Sequence, residues 1–326
     1  MHVIRCRNVN DALPQGVEYL LRTGLEVTVR GQKTLESPVP VCTMYERPRE
    51  RVLFDPIRDA NPFFHFFESL WILAGKNDVA YLKQFNSRIG EFSDDGVKFY
   101  GAYGYRLRKW TFGHDQLREV AEKLKKSTET RQAVLAIWAT QDLSAVTKDP
   151  PCNLTVHFLA RGGSLNMTVF CRSNDIVWGA YGANIVQFST IQEFVASMCG
   201  LQVGKYYQIS DSYHGYCERE DWGKLTRPGS NDYHGLPQDD YREIGIDPYR
   251  MVLHPDLFLQ ECETFVADHR TAMDAINPFF REVALPMYEA WIAHKETKLG
   301  LVPLTHCKAT DWREAGAAWL RRRGES

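Results

Sequence analysis

The chain has 326 residues with 39 Lys+Arg against 41 Asp+Glu, a formal charge of −2, and 44% hydrophobic against 25% charged residues. This composition excludes disordered, collagenous and fibrous classes and leaves material for a large core. A near-zero charge and a pI of about 6.6 argue against an obligatory nucleic-acid partner, while leaving room for a local basic pocket.

The eight cysteines are scattered and include no CxxC pair, so reduced thiols in a cytoplasmic protein are expected. The longest apolar run, Phe63 to Ala74, is broken by His65, Glu68 and Ser69, and is too short to span a bilayer. Without repeats or low-complexity tracts, residues 1–326 read as a single domain.

In chain order, residues 11–23 read as a helix, and 61–75 more clearly so. Asn61 can cap, Pro62 suits the first helical position and Gly75 can stop it. Leu117, Val120 and Leu124 give 115–127 an apolar helical face. Strands are expected at 132–138, 154–159 and 165–171, the last two joined by the turn Arg161-Gly162-Gly163-Ser164. A helix over 184–198, ended by Gly200, and a strand over 204–210 follow. The Gly-, Pro- and Asp-rich stretch 217–250 reads as a long surface excursion.

Chemistry enters at Asp149-Pro150-Pro151-Cys152-Asn153, where two prolines fix the backbone that presents a thiol. A lone cysteine is more often inert core than nucleophile, so its company decides. Arg172-Ser173-Asn174-Asp175 can supply a positive charge for a thiolate and an anionic ligand. Asn184 is an amide able to read a base edge, and His214 and Tyr216 can present two polar tips to a sugar. The bland alternatives are a helix cap, a salt-bridge partner and surface polar groups. A thiol hydrolase pairing Cys152 with His214 lacks a third member and an oxyanion loop. For a metal, His214 and Cys217 have no second pair at ligand spacing, and none is expected.

Several motifs in order resemble the family of thymidylate synthases and pyrimidine nucleotide hydroxymethylases. They are Glu68-Ser-Leu-Trp71, Tyr103-Gly104-Tyr-Arg-Leu-Arg108, Arg131 before a strand, Pro151-Cys152, Arg172-Ser173-x-Asp175, Asn184-Ile185 and His214-x-Tyr216. The resemblance implies an α/β (α+β) fold with a large mixed sheet flanked by helices and packed across a homodimer interface. It also implies a pyrimidine nucleoside monophosphate substrate and methylenetetrahydrofolate as cosubstrate.

By the same resemblance Cys152 is the nucleophile that adds to C6 of the pyrimidine, activating C5. Arg30, Arg172 and Ser173 hold the phosphate, with Arg131 contributed in trans. Asp175 orients the base, His214 and Tyr216 bind the sugar, Glu68 organises water and proton transfers, and Tyr103 stands beside the thiol. Arg22 and Lys33 are alternatives to Arg30. A nucleotide- or RNA-binding protein without turnover is the reading from another class, and Cys152 after Pro151 counts against it.

Three departures from the synthase pattern matter. Gly90 and Ser93 stand where the synthases place tryptophans, in the segment Ile89-Gly-Glu-Phe-Ser-Asp-Asp-Gly96. The chain ends Leu320-Arg-Arg-Arg-Gly-Glu-Ser326 rather than in an apolar plug. A missing screen with carboxylates nearby favours water over hydride at the C5 methylene, hence hydroxymethylation. Thymidylate synthesis from dUMP, or C5 methylation of dCMP, is the alternative. Thirdly, Trp178 to Asn184 carries one residue more than the synthases, so Asn184, an amide that can be turned over, does not by itself separate uracil from cytosine. Arg131 and Ser173 follow the deoxynucleotide pattern.

Overall fold

The computed structural model describes residues 1–110, 113–227 and 239–325. Among these, eight strands form one sheet: β1 (His2–Cys6), β2 (Leu25–Val29), β3 (Gln32–Glu36), β4 (Val41–Tyr45), β5 (Val134–Ala136), β6 (Asn153–Arg161), β7 (Ser164–Asp175) and β8 (Gln202–Tyr216). Their order is β1-β4-β8-β7-β6-β5, with β3 pairing the far end of β8 and β2 pairing β3. β1 with β4 and β7 with β8 run parallel, and the remaining neighbours antiparallel, so the sheet is mixed.

The β6–β7 hairpin turns where the sequence places it, with Gly162 and Gly163 both at positive φ. Parallel β7 and β8 need a crossover, supplied by the helix Ile185–Met198. Inward residues Val156, Phe158, Leu165, Met167, Val169 and Tyr206 are buried. On the opposite face Thr155, His157, Thr168, Phe170, Tyr207 and Ile209 are only half-buried.

The helix Pro62–Leu73 forms for the anticipated reasons: the Asn61 side chain accepts the Phe64 N–H, Pro62 opens it, and Gly75 leaves it at φ +64°. Nearly every side chain on it is buried. The helix Tyr103–Arg108 rides directly on it, because a Cβ on Gly104 would lie 2.1 Å from the Ile72 carbonyl oxygen. This close approach brings Tyr103 to the cavity that Glu68 lines.

Three expectations change. The strand over 132–138 shrinks to β5, whereas that over 204–210 lengthens into β8, which carries His214 and Tyr216 inside the sheet. The four short strands β1–β4 lie outside the sequence expectations, although Leu25-Glu-Val-Thr-Val29 alternates apolar and polar residues; in the fold β2 is exposed throughout and β4 buried throughout, so burial alternates along neither. The stretch 217–250, of which 228–238 lie outside the described residues, is more than a surface excursion. Trp222 and Tyr241 are buried, and the Tyr241 hydroxyl accepts from Val52 N–H and donates to Asp311.

Candidate active site

The carboxyl ends of parallel β7 and β8 and the start of β6 meet at one edge of the sheet. Register brings Asn153 opposite Cys171, Ser173 opposite Ser212, and Asp175 opposite His214. A crevice beyond the carboxyl ends of parallel strands is where α/β sheets bind ligands. His214 and Tyr216, two residues apart, point to the same side, their rings 5.2 Å apart edge to face. His214 Nδ1 lies 3.0 Å from the Ser212 hydroxyl.

Cys152 is partly buried at this edge. Arg172 donates from Nε to the Pro151 carbonyl and from Nη2 to the Pro150 carbonyl, each at 3.0 Å, and Nη2 stands 3.8 Å from the Cys152 sulfur. The two prolines therefore do more than stiffen the approach: their carbonyls, freed from any strand ladder, hold the arginine beside the thiol. Burial pushes the Cys152 thiol up, Arg172 and Arg30 pull it down, and the charge of Asp149 opposes them. Arg30 sits at the tip of the β2–β3 hairpin, with φ +50° followed by Gly31 at +78°. It is exposed on its own chain, but its charge reaches Cys152 and Tyr216.

Beside the thiol lies a cavity of about 260 Å³. One wall is apolar and aromatic, with Trp71, Ile72, Ile89, Phe92 and Trp178; the polar side carries Glu68, Tyr103, Asp149, Asn184 and Gln187. Among the described residues, four buried polar atoms in this neighbourhood, Glu68 Oε2, Trp71 Nε1, Asn153 Oδ1 and Gln187 Oε1, have no hydrogen-bond partner. Unsatisfied buried groups at such density mark a place where a ligand or water completes the bonding. The flat apolar wall and orphaned polar atoms fit a heteroaromatic cosubstrate such as a folate. Burial pushes Glu68 up to about 7 and Asp149 to about 6, and drives Tyr103 upward.

The Asn184 amide is coupled to those of its neighbours, so that it does not turn over by itself. Asn153 Nδ2 donates to Asn184 Oδ1 at 3.3 Å, Asn184 Nδ2 to Asn174 Oδ1 at 3.1 Å, and Asn174 Nδ2 to the Ser210 hydroxyl at 2.9 Å. Reversing Asn184 alone would oppose two NH2 groups on one side and two oxygens on the other. The residue extra to the synthase pattern is absorbed as a π-helix over Ile176–Asn184, begun by Asp175, whose carboxylate accepts the Val177 and Trp178 N–H groups. Arg58 supports it from below, donating from Nε to the Val177 carbonyl at 2.8 Å.

The expected acidic, unscreened wall is corrected in both respects. Ile89 and Phe92 line the cavity, so this segment keeps an apolar surface although it carries no tryptophan. The carboxylates serve loops instead: Asp95 accepts the Val97 and Lys98 N–H groups, while Asp94 accepts the Thr147 hydroxyl and the Lys148 N–H. Ser93 is buried and ties this turn together. The carboxyl tail is a pinned helix end, with Arg322 and Arg323 on Asp59 and the Glu325 carboxylate 2.5 Å from His294 Nδ1.

Arg131 is exposed. Among the described residues no group of three or more His, Cys, Asp or Glu could hold a metal ion, and no helix is long and apolar enough to cross a membrane. Sequence reasoning passed over Asp149, Asn174 and Gln187 as site members. Asp149 heads the Asp-Pro-Pro-Cys motif, and Gln187 lies three residues after Asn184 on a helix; both were visible signals.

The model of the thymidylate synthase family matches residues 63–234. The chain is 42% identical over 334 residues to the deoxyuridylate hydroxymethyltransferase of Pseudomonas phage M6, covering 99% of this chain and 95% of that one. It is 40% identical over 248 residues to the deoxyuridylate hydroxymethyltransferase of Bacillus phage SP01, covering 73% and 64%. For that of Delftia phage PhiW-14 the figures are 30% over 180 residues, 51% and 49%. The chain belongs to the thymidylate synthase family. Within it, this is an enzyme of one-carbon transfer to C5 of a pyrimidine nucleotide, of the hydroxymethyl- and methyltransferase class.

Proposed function

We propose that the enzyme hydroxymethylates C5 of dUMP with methylenetetrahydrofolate. Chief support is the Arg172 guanidinium held by two proline carbonyls 3.8 Å from the Cys152 sulfur, together with a cavity lined by Asn184, whose amide is bonded to Asn174. Likeness to the phage deoxyuridylate hydroxymethyltransferases supports uracil and the hydroxymethyl product.

In this reading the Cys152 thiolate adds to C6, making C5 nucleophilic. The cosubstrate supplies a carbon at the oxidation level of formaldehyde, bound against Ile72, Phe92 and Trp178. Glu68, titrating near neutrality, passes protons around C4 of the base. Tyr103 packs beside the thiol, and Asp175 orients the base through the π-helix it begins. The Asn184 amide, held between Asn153 and Asn174, reads the uracil edge, where N3–H donates and O4 accepts, a pattern cytosine reverses. His214 and Tyr216 hold the sugar. Arg172, Ser173 and Arg30 hold the phosphate.

Arg131 completes the phosphate clamp of a second subunit. The half-buried sheet face of His157, Phe170, Tyr207 and Ile209 supports a homodimer packed through it, and the exposure of Arg131 suits a role in trans. All of these functions lie in one domain over 1–326.

Mass spectrometry of the product from dUMP, dCMP, UMP and CMP tests the proposal. A product from dUMP heavier by formaldehyde, without dihydrofolate, is expected. A product heavier by a methylene unit, or faster turnover of a cytosine or ribose substrate, would overturn it.

A further inference from the structure

We propose that Asp149 is the general base that draws the proton from the attacking water in the hydroxymethylation step. The inference rests on the hydroxymethylase reading and assigns its last chemical step to a residue outside the family-like set.

Asp149 lines the same cavity as Glu68, Tyr103 and Asn184. Its Oδ2 accepts the Gly101 N–H at 2.7 Å, while among the described residues its Oδ1 takes no hydrogen bond. Gly101 permits the fit: a Cβ there would stand 2.6 Å from the Asp149 carbonyl oxygen and 3.2 Å from both carboxylate oxygens. Arg106, the cation whose charge favours the Asp149 carboxylate, is committed to Asp142 through paired bonds of 2.7 and 2.9 Å. Asp149 is thus anchored on one oxygen and open on the other, and among the described residues no ion pair neutralises it.

For thiol chemistry alone this carboxylate is a liability, since its charge disfavours the Cys152 thiolate that Arg172 promotes. Yet the surrounding chain is built to hold it. The segment that replaces the tryptophan screen sends Asp94 to the Thr147 hydroxyl and the Lys148 N–H, and the Thr147 hydroxyl accepts the Asp149 N–H at 3.1 Å. The acidic wall therefore acts at one remove, by fixing the strap that carries Asp149. Two carboxyl groups then divide the work: Glu68 titrates near 7, while Asp149, near 6, is mostly ionised at neutrality and suited to accept a proton.

The step balances without an oxidant or reductant. A C5 methylene, conjugated with the C4 carbonyl of the Cys152-bound nucleotide, is attacked by water. The water O–H bond breaks as its proton passes to Asp149, the new C–O bond forms at the exocyclic carbon, and the displaced pair moves to the C4 oxygen. That pair returns to form the C5–C6 double bond, the C6–S bond breaks, and the pair leaves on Cys152 as thiolate. Asp149 then releases its proton to solvent.

The test is a single turnover, enzyme in excess, with dUMP tritiated at C5 and methylenetetrahydrofolate. Tritium leaves before water attacks, so its release and the hydroxymethyl product separate the two steps. In Asp149→Asn we expect tritium release within about threefold of wild type and product formation slowed about a hundredfold or more. Added 2-mercaptoethanol, a nucleophile that needs less help, should trap the stalled methylene as a thioether. Parallel loss of tritium release and product, or loss of neither, overturns the assignment. If the Asn variant does not fold, Asp149→Glu is read the same way: a lowered product-to-tritium ratio is expected, and an unchanged ratio overturns it. Wild-type enzyme yielding thymidylate and dihydrofolate would remove the hydroxymethylase reading itself, and this role with it.

Discussion

The two halves of the cleft are built differently. The groups proposed to face the nucleotide, Arg172, Ser173, Asp175, His214 and Tyr216, lie on β7 and β8, where parallel register sets the strands against each other. On the cavity side helices carry Glu68, Tyr103 and Gln187, but Ile89, Phe92, Asp149 and Trp178 lie on a loop, a short 3-10 turn and a π-helix. A ladder tolerates little change without shifting every side chain to the other face, whereas loops accept insertions. In the proposed reading, binding of the nucleotide sits on the strand-borne half, and the fate of the transferred carbon is decided on the other.

Cys152 stands at the seam, and its removal breaks the comparison most completely. Cys152→Ala should lower turnover at least about a thousandfold. Nucleotide affinity by calorimetry should change only a few-fold, because the strand-borne groups remain. Loss of affinity in step with activity would show that the two halves are not separable.

Next in size is a stability effect on the cavity side. Glu68 titrates near 7 in the fold against 4.5 for a free carboxyl. A raised carboxyl value favours the protonated form in the native state, so between those values rising pH costs the wild type stability, on the order of 3 kcal/mol. Glu68→Gln lacks that cost. Its stability relative to wild type should rise with pH through this window and level off above it. Urea unfolding of both proteins at about pH 5 and about pH 8 checks this, and a gap independent of pH would contradict it.

The smallest expected effect sharpens the nucleotide side. Asn174 touches the base only through Asn184, so Asn174→Ala should leave the fold intact and free the Asn184 amide to turn. The ratio of kcat/KM for dUMP over dCMP should fall about tenfold, the scale of one unsatisfied hydrogen bond. An unchanged ratio with both rates lowered together would make Asn174 merely structural.

Local signals made the helix over 62–73 and the β6–β7 hairpin legible, since Asn61, Pro62, Gly75 and the Gly162-Gly163 turn act within a few residues. Ordered motifs likewise singled out Cys152, Arg172, Asn184, His214 and Tyr216, proposed here as parts of one site. The sequence alone determined which chemical groups the pocket owns, because residue type and spacing along a chain survive without coordinates. Only tertiary structure decided their state. The proline carbonyls that hold Arg172, the amide chain that fixes Asn184, and Gly101 giving Asp149 its place are contacts between segments far apart in sequence. It also turned the acidic segment at 91–95 from a presumed wet wall into a brace. Whether a carboxylate meets a backbone N–H or open water depends on which loop folds against it, and no local pattern records that.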